Sequence, residues 1–235
     1  MCQAVHDRGV RATVSLAGRV DHPRPQPIPR RVGGFGGVAG LVEYLRAEKI
    51  THVVDATHPF AAQMSAHAID ACVQADVPLI ALTRPPWSAV AGDRWQHVAD
   101  IPAAVAELQG SSRRILLAVG RMHLDAFAPN PQHFYLLRLV DPPAMAPPFR
   151  DHDVIVARGP FTESDDTALM RDHRIDLVVS KNAGGQGAYA KIAAARALSV
   201  PVLMIDRPRI GGRAEVGDVQ GVLDWLDHAG TDLGV

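Results

Sequence analysis

The chain has 235 residues, of which 47% are hydrophobic and 21% charged, and its formal net charge is −1 at pH 7. This balance argues against nucleic acid as a partner, and the lack of an apolar run of about 18 residues argues against a membrane span. The two cysteines, Cys2 and Cys72, form no disulfide or metal-binding pattern. We therefore expect a cytoplasmic, monomeric protein without a metal site.

Short β-branched runs alternate along the chain with alanine-rich segments of helical length. Most of these runs are continuously apolar, as in strands of a parallel sheet that is covered on both faces. Their alternation with helices predicts an α/β fold. Strands are predicted at residues 12–16, 52–55, 78–82, 115–119, 133–137, 154–157, 177–180 and 202–205, and helices at 38–48, 60–74, 101–108, 162–172, 187–198 and 218–228.

The sequence contains an internal similarity between residues 50–85 and residues 175–208. Each segment has an apolar strand, a polar loop, an alanine-rich helix and a Val-Pro pair before a second strand that ends in Arg-Pro. We therefore predict two Rossmann-like, doubly wound parallel-sheet domains, at residues 1–100 and 101–235, with an inter-domain cleft. The alternative is that any two βαβ units look alike at this level.

The loops after the predicted strands carry arginines, lysines, glycines and hydroxyl groups. In open α/β sheets, ligands bind outside the carboxyl ends of the strands, where helix N-termini present unpaired N–H groups. An edge lined with such donors suits an anionic ligand. There is no G-x-S-x-G motif, which argues against the commonest hydrolase site.

Two loops of the first half suggest a dinucleotide. RVGGFGG, at residues 31–37, resembles part of a dinucleotide loop without matching G-x-G-x-x-G, and the alternative is a simple turn into the next helix. Arg19 lies where a ribose or its 2′-phosphate is usually bound, which favours NADP over NAD, unless it is a solvated surface arginine.

The loop DATHPFA, at residues 55–61, follows a buried strand. His58 precedes a proline that suits the first turn of a helix, and Phe60 begins an apolar face. His58 is either a donor near the ligand or a helix-capping imidazole.

The loop SKNAGGQGAYAK occupies residues 180–191. Only three of the 24 basic residues are lysines, and two of them, Lys181 and Lys191, flank its glycines. Because Lys181 precedes the glycines, the loop is not a Walker motif. Glycines, a helix N-terminus and lysines nevertheless fit an anion.

These motifs, with ARGPFT at residues 157–162 and VPVLMIDRP at residues 200–208, resemble the precorrin-6A reductases of cobalamin biosynthesis over residues 11–226. The resemblance implies two Rossmann-like domains and NADPH-dependent reduction of one double bond of the precorrin-6A macrocycle to precorrin-6B. The family usually opens with an apolar strand and a G-G-T loop. Because this chain starts with what looks like the end of the first helix, that strand and loop are expected to be missing.

The resemblance also implies roles for particular residues. His58 and Tyr189 are candidate proton donors, with solvent as the alternative. Cofactor binding is expected at Ser15, Arg19, Gly33, Gly34, Asp55, Ala56 and Thr57. Tetrapyrrole binding is expected at His58, Phe60, Arg121, Lys181, Asn182, Gly184, Gly185, Gly187, Tyr189, Lys191, Asp206 and Arg207. For the loop at residues 180–191, the cofactor phosphate is the alternative ligand.

Three alternatives remain open at this level. A cobalt-precorrin-6A reductase would act on the cobalt form of the substrate, which the sequence does not distinguish from the metal-free form. A non-catalytic module would only bind a polycarboxylate or a nucleotide. A nucleotide-sugar-dependent transferase also uses paired Rossmann-like domains.

Overall fold

The computed structural model describes residues 1–18, 24–143 and 145–229. Arg19 lies outside the described residues. The helices are α1 (Cys2–Asp7), α2 (Gly37–Ala47), α3 (Ala62–Ala75), α4 (Ile101–Glu107), α5 (Glu163–Asp172), α6 (Ala190–Ala197) and α7 (Val219–Ala229). The strands are β1 (Val14–Leu16), β2 (Arg30–Val32), β3 (Val53–Asp55), β4 (Leu79–Leu82), β5 (Trp95–Val98), β6 (Arg114–Ala118), β7 (Phe134–Leu139), β8 (Asp151–Val156), β9 (Leu177–Lys181), β10 (Val202–Ile205) and β11 (Ala214–Val216). Two short 3-10 segments, Arg121–His123 and Asp125–Phe127, follow β6.

The chain divides into two compact units, the first made of Met1–Arg84 and the segment from Arg209 onward, the second of Pro85–Pro208. The first unit contains a parallel pair, β1-β2, and a parallel three-stranded sheet in the order β11-β4-β3. Helices α2 and α3 pack together through buried side chains such as Leu41, Leu45 and Ala71.

The second unit contains a parallel six-stranded sheet in the order β5-β10-β9-β6-β7-β8. Most residues of its central strands are buried, and Leu116, Val178 and Met204 lie in one core with Ile192 of α6. Strand order reverses between the neighbours β6 and β9, since the chain leads outward from β6 to β8 on one side and from β9 to β10 on the other. Such a reversal is where ligands bind in open α/β sheets. The α/β fold with parallel sheets is therefore confirmed.

The two similar segments of the sequence form β3-α3-β4 and β9-α6-β10, and in each of them the two strands are parallel neighbours. The chain passes between the units at Arg84-Pro85 and at Pro208-Arg209, so both Arg-Pro pairs lie at a crossing.

The division differs from the boundary predicted at residue 100 in two places. Strand β5 pairs with β10 of the second unit, and β11 pairs with β4 of the first. Both lie at sheet edges and carry polar residues in the sequences WQHV and AEV, so they lack the apolar run of an interior strand. The same reason explains why β2, with the sequence RRV, was not among the predicted strands.

The helices that follow the loops at residues 55–61 and 182–189 start later than predicted. α3 begins at Ala62 rather than at residue 60, and α6 begins at Ala190 rather than at residue 187. Turns precede both, closed by Ala61 N–H donating to the His58 carbonyl and by Tyr189 N–H donating to the Gln186 carbonyl. No helix in the described parts of the chain is long and apolar enough to cross a membrane.

Candidate functional site

Three loops follow neighbouring strands of the second sheet at its carboxyl edge. Arg121 follows β6, residues 182–189 follow β9, and Asp206 and Arg207 follow β10. Because β6 and β9 flank the reversal of strand order, the second sheet places its basic residues where an anionic ligand is expected.

Asn182 is buried and binds the backbone of Trp87 in both directions. Its Oδ1 accepts from Trp87 N–H at 2.8 Å, and its Nδ2 donates to the Trp87 carbonyl at 3.0 Å. The Trp87 indole Nε1 in turn donates to the carbonyl of Gly185 at 2.7 Å. The side chain of Asn182 therefore holds the segment at residues 85–87 against the glycine loop, and its contact with a ligand stays a prediction.

Gly184 and Gly185 have positive φ angles of 68° and 69°. A Cβ added at Gly184 would lie 2.1 Å from the Pro85 carbonyl oxygen, so only glycine permits this approach. At Gly187 an added Cβ meets no described atom within 4 Å. Packing thus requires glycine at Gly184, the positive φ angle favours glycine at Gly185, and a side chain at Gly187 would meet no described atom.

Arg207 and Asp206 follow β10 next to this loop. Arg207 donates to the carbonyls of Asn182 at 2.8 Å and of Ala183 at 3.0 Å. Asp206 Oδ1 lies 2.7 Å from Nδ1 of His97, and both side chains are about half exposed. His97 is therefore the partner of a predicted substrate-binding residue.

The two lysines of the loop differ in accessibility. Lys181 is half-buried at the end of β9, and burial lowers its pKa to about 8, so it is still largely a cation at neutral pH. Lys191 is only 4% exposed. Burial, and secondarily the charge of Arg138, lower its pKa to about 7. Lys181 is the better candidate for a charge that meets a ligand.

Lys191 is engaged inside the protein. Its Nζ donates to the carbonyl of Ala188 at 2.7 Å and lies 4.9 Å from the centre of the Trp87 ring. Arg138, whose charge opposes it, forms a buried ion pair with Asp166 of α5. Lys191 therefore stabilises the end of the loop through Ala188 and Trp87, and its direct contact with substrate stays a prediction.

Tyr189, a candidate proton donor, lies just before α6. Its hydroxyl accepts a hydrogen bond from Arg196, which also donates to Asp93 at 2.9 Å. Its ring meets Trp87 edge to face at 5.8 Å. Because the hydroxyl accepts from a guanidinium, its own proton can be donated to another group.

In the first unit, the glycine loop after β2 is held by Arg31. Its guanidinium donates to the carbonyls of Gly33 at 3.0 Å and Gly34 at 2.9 Å, and to Ser15 Oγ at 2.7 Å. It also stacks on Phe35, 3.9 Å from the ring centre. Arg31 links three of the predicted cofactor-binding residues and was missed because a lone arginine in RVGGFGG carries no signal of its own.

Asp55 ends β3 and accepts four hydrogen bonds. Thr57 donates to Oδ1 through its backbone N–H at 3.1 Å and its hydroxyl at 2.6 Å. Ser65 Oγ donates to Oδ2 at 2.6 Å, and Arg213 forms an ion pair with the same oxygen. Both carboxylate oxygens are thus used to shape the loop. Ser65 and Arg213 were missed because Asp55 meets them only in the folded chain.

His58, Thr57 and Ala56 are exposed on the same loop, while Phe60 is partly buried. Phe60 N–H donates to His58 Nδ1 at 3.2 Å, which places the ring proton on Nε2. The N-cap of α3 is Ala61, with no side-chain cap. The imidazole of His58 thus accepts a backbone N–H in the turn before α3, and its role as a proton donor stays a prediction.

The structure brings together Lys181, Asn182, Gly184, Gly185 and Arg207 in the second unit, and Ser15, Gly33 and Gly34 in the first. In residues 1–18, 24–143 and 145–229, no group of three or more His, Cys, Asp or Glu side chains is placed to hold a metal ion.

Comparison with known proteins identifies the family of this chain. The model of the family described as precorrin-6x reductase CbiJ/CobK matches residues 1–227. The precorrin-6A reductase of Rhodobacter capsulatus is 53% identical over 236 residues, covering 100% of this chain and 94% of the relative. That of Sinorhizobium sp is 46% identical over 92% of this chain and 82% of the relative.

A more distant relative is the cobalt-precorrin-6A reductase of Priestia megaterium, 27% identical over 80% of this chain and 76% of the relative. A solved structure named CobK precorrin-6A reductase has a TM-score of 0.94 and 53% sequence identity, covering 100% of this chain and 94% of the solved one. With a family model matched over nearly its whole length and relatives of this identity, the chain belongs to the precorrin-6x reductase family.

Proposed function

We propose that this chain is a reductase that transfers a hydride from NADPH to the precorrin-6A macrocycle and gives precorrin-6B. The observation that carries the proposal is the 53% identity to a precorrin-6A reductase over the whole chain. The hydride adds to one ring carbon and a proton to its neighbour, so that one double bond is reduced and NADP⁺ is released.

The first unit fits a dinucleotide. Cβ atoms added at Gly33, Gly34, Gly36 and Gly37 meet no described atom within 4 Å, so the backbone before α2 is open to close approach. The N-terminus of α2 adds partial positive charge. When bound, NADPH supplies the hydride. The glycine loop, with Ala56 and Thr57, would hold its phosphates, and Arg31 would keep the loop in place.

The second unit fits the macrocycle, whose acetate and propionate arms are carboxylates. Lys181, Arg121 and Arg207 are cationic side chains on three neighbouring loops at the reversal of strand order. A carboxylate beside Lys181 would favour its charged form and offset the effect of burial. Binding of this kind aligns the acceptor carbon, which is the main protein contribution to a hydride transfer.

The proton has two candidate sources in the chain. Tyr189 carries a hydroxyl proton next to Arg196, and His58 carries its ring proton on Nε2. The variants Tyr189→Phe and His58→Gln distinguish the two sources. The variant that lacks the true donor should have a lower kcat, and the other variant should keep the wild-type kcat. If both variants keep full kcat, solvent supplies the proton.

The metal-free substrate is favoured over the cobalt form. Relatives named precorrin-6A reductase are 43–53% identical, whereas those named cobalt-precorrin-6A reductase are 25–31% identical. The predicted inter-domain cleft, monomeric state and cytoplasmic location remain predictions.

Turnover of precorrin-6A with NADPH tests the proposal directly. We expect loss of NADPH absorbance together with a product two hydrogens heavier, and slower reactions with NADH and with cobalt-precorrin-6A. Binding of NADPH and precorrin-6A without any turnover would instead support the non-catalytic module.

A further inference from the structure

The loop at residues 182–187 depends on one side chain from a distant part of the sequence. Trp87 is buried, and it contacts the loop through its backbone and its indole N–H. Lys191 lies under one part of the ring and Tyr189 meets its edge. Hydrogen bonds therefore fix Trp87 at Asn182 and at Gly185, on both sides of Gly184.

Arg207 holds the start of the loop through the carbonyls of Asn182 and Ala183, and the two glycines that follow depend on the contacts with residues 85–87. Gly184 and Gly185 adopt positive φ angles, but glycine can adopt many other backbone conformations as well. These two residues alone therefore do not determine the observed conformation of the loop. The contact between Gly184 and the Pro85 carbonyl forms only when the segment at residues 85–87 is in place. An external anchor is thus what makes this conformation the preferred one.

We propose that Trp87 is a positioning residue for substrate binding, which holds the loop at residues 182–187 so that its glycine backbone and Lys181 meet the macrocycle carboxylates. The inference rests on the proposed function for the identity of the substrate. The order of the loop, in contrast, is measurable without any substrate.

Trp87→Phe tests the anchor because it keeps an aromatic ring over Lys191 and removes the N–H that binds Gly185. A matched control lies in the same unit. Within the described residues, Nε1 of Trp95 is buried and has no hydrogen-bond partner. Trp95→Phe therefore removes an indole N–H that makes no hydrogen bond.

We expect amide hydrogen exchange at Ala183 and Tyr189, whose N–H groups donate to the carbonyls of Lys181 and Gln186, to become about tenfold faster in Trp87→Phe, as follows from losing one net hydrogen bond. Trp95→Phe should leave exchange there as in the wild type. The KM for precorrin-6A should rise about tenfold in Trp87→Phe, with kcat and NADPH affinity retained. A purely structural role would lower the melting temperature without this selective change in KM.

Each outcome decides a different part of the proposal. Unchanged exchange in Trp87→Phe overturns it, whatever the activity. Faster exchange with an unchanged KM overturns the link to binding. If the wild type does not turn over precorrin-6A, the proposed function and the substrate part of this inference fail together, while exchange still reports on the anchor. Should Trp87→Phe fold poorly, benzothienylalanine at this position keeps the bicyclic shape without the N–H and gives the same test.

Discussion

Asp55 and Arg213 form an ion pair across 158 positions of the chain, with side chains that are only 2% and 5% exposed. Arg213 immediately precedes β11, so the last strand of the first unit is joined to the loop after β3. The same carboxylate accepts from Thr57 and Ser65. One buried charge thus shapes a loop that is proposed to bind the cofactor, and it takes its counter-ion from the far end of the sequence.

Loss of Arg213 should be costly for this reason. Arg213→Met leaves a buried carboxylate without its cation, and we expect the free energy of unfolding to fall by about 3–5 kcal/mol. Urea unfolding measures the loss. In Arg213→Met the Asp55 carboxylate is the uncompensated charge. Adding Asp55→Asn should therefore recover part of the lost free energy of unfolding.

A surface pair provides the matched control for this experiment. Arg8 and Asp227 also pair within the first unit, but their side chains are 39% and 60% exposed. Arg8→Met should change the free energy of unfolding by less than about 1 kcal/mol. Equal effects of Arg8→Met and Arg213→Met would contradict the burial argument.

The interior of the fold was predictable from local sequence, because interior strands are continuously apolar. Strands β6 and β9 contain the apolar runs ILLA and LVV, and both were predicted. Edge strands need fewer apolar residues, since they pair on one side only. β5 and β11 were missed for that reason, and with them the points where the chain changes unit.

The loops of the candidate site were predictable as well, because glycines and basic residues follow apolar runs. The partners that hold these loops were not. Trp87 is 95 positions from Asn182, and Arg213 is 158 positions from Asp55. Such pairs carry no local pattern and arise only when the sheets assemble.

Lys191 should make stability depend on pH. Its pKa is about 7 when folded, against an ordinary value of 10.5, so the unfolded chain binds more protons between these values. Stability therefore rises with pH in this window, with a slope from this group of at most about 1.4 kcal/mol per unit. Below about pH 7 both states are protonated and the contribution to the slope vanishes.

Lys191→Met isolates this effect in urea unfolding from pH 6.5 to 9.5, a range chosen to span about three units around the shifted values. Between pH 7 and 8 the variant should keep only the smaller slope from Lys181, whose folded pKa is about 8. A wild-type slope between pH 7 and 8 that survives the substitution would contradict the assignment to Lys191.

Lys181 should control substrate affinity. Lys181→Met removes a cation from the carboxyl edge of β9, and we expect the KM for precorrin-6A to rise about 10- to 100-fold, the range for a charged hydrogen bond. NADPH affinity should be retained. A larger loss of NADPH affinity than of macrocycle affinity would assign the loop to the cofactor phosphates instead.

The pH profile gives a second measure of the same charge. Since the charged form of Lys181 is lost as pH rises through about 8, wild-type kcat/KM for precorrin-6A should fall above that pH. In Lys181→Met this descending limb should disappear, because no proton is lost at residue 181. If the limb persists unchanged in the variant, another group titrates there.

Arg31 should affect binding of the cofactor and not binding of the macrocycle. Its guanidinium holds the carbonyls of Gly33 and Gly34 and stacks on Phe35, so Arg31→Met should loosen the glycine loop and weaken NADPH binding about tenfold. Fluorescence titration of NADPH measures this, with the KM for precorrin-6A expected to stay near the wild-type value. Arg46 is a matched control, since it also donates to a backbone carbonyl, that of Gln74, but lies at the opposite end of α2. Equal NADPH affinity in Arg31→Met and Arg46→Met would contradict the proposal that the glycine loop binds the cofactor.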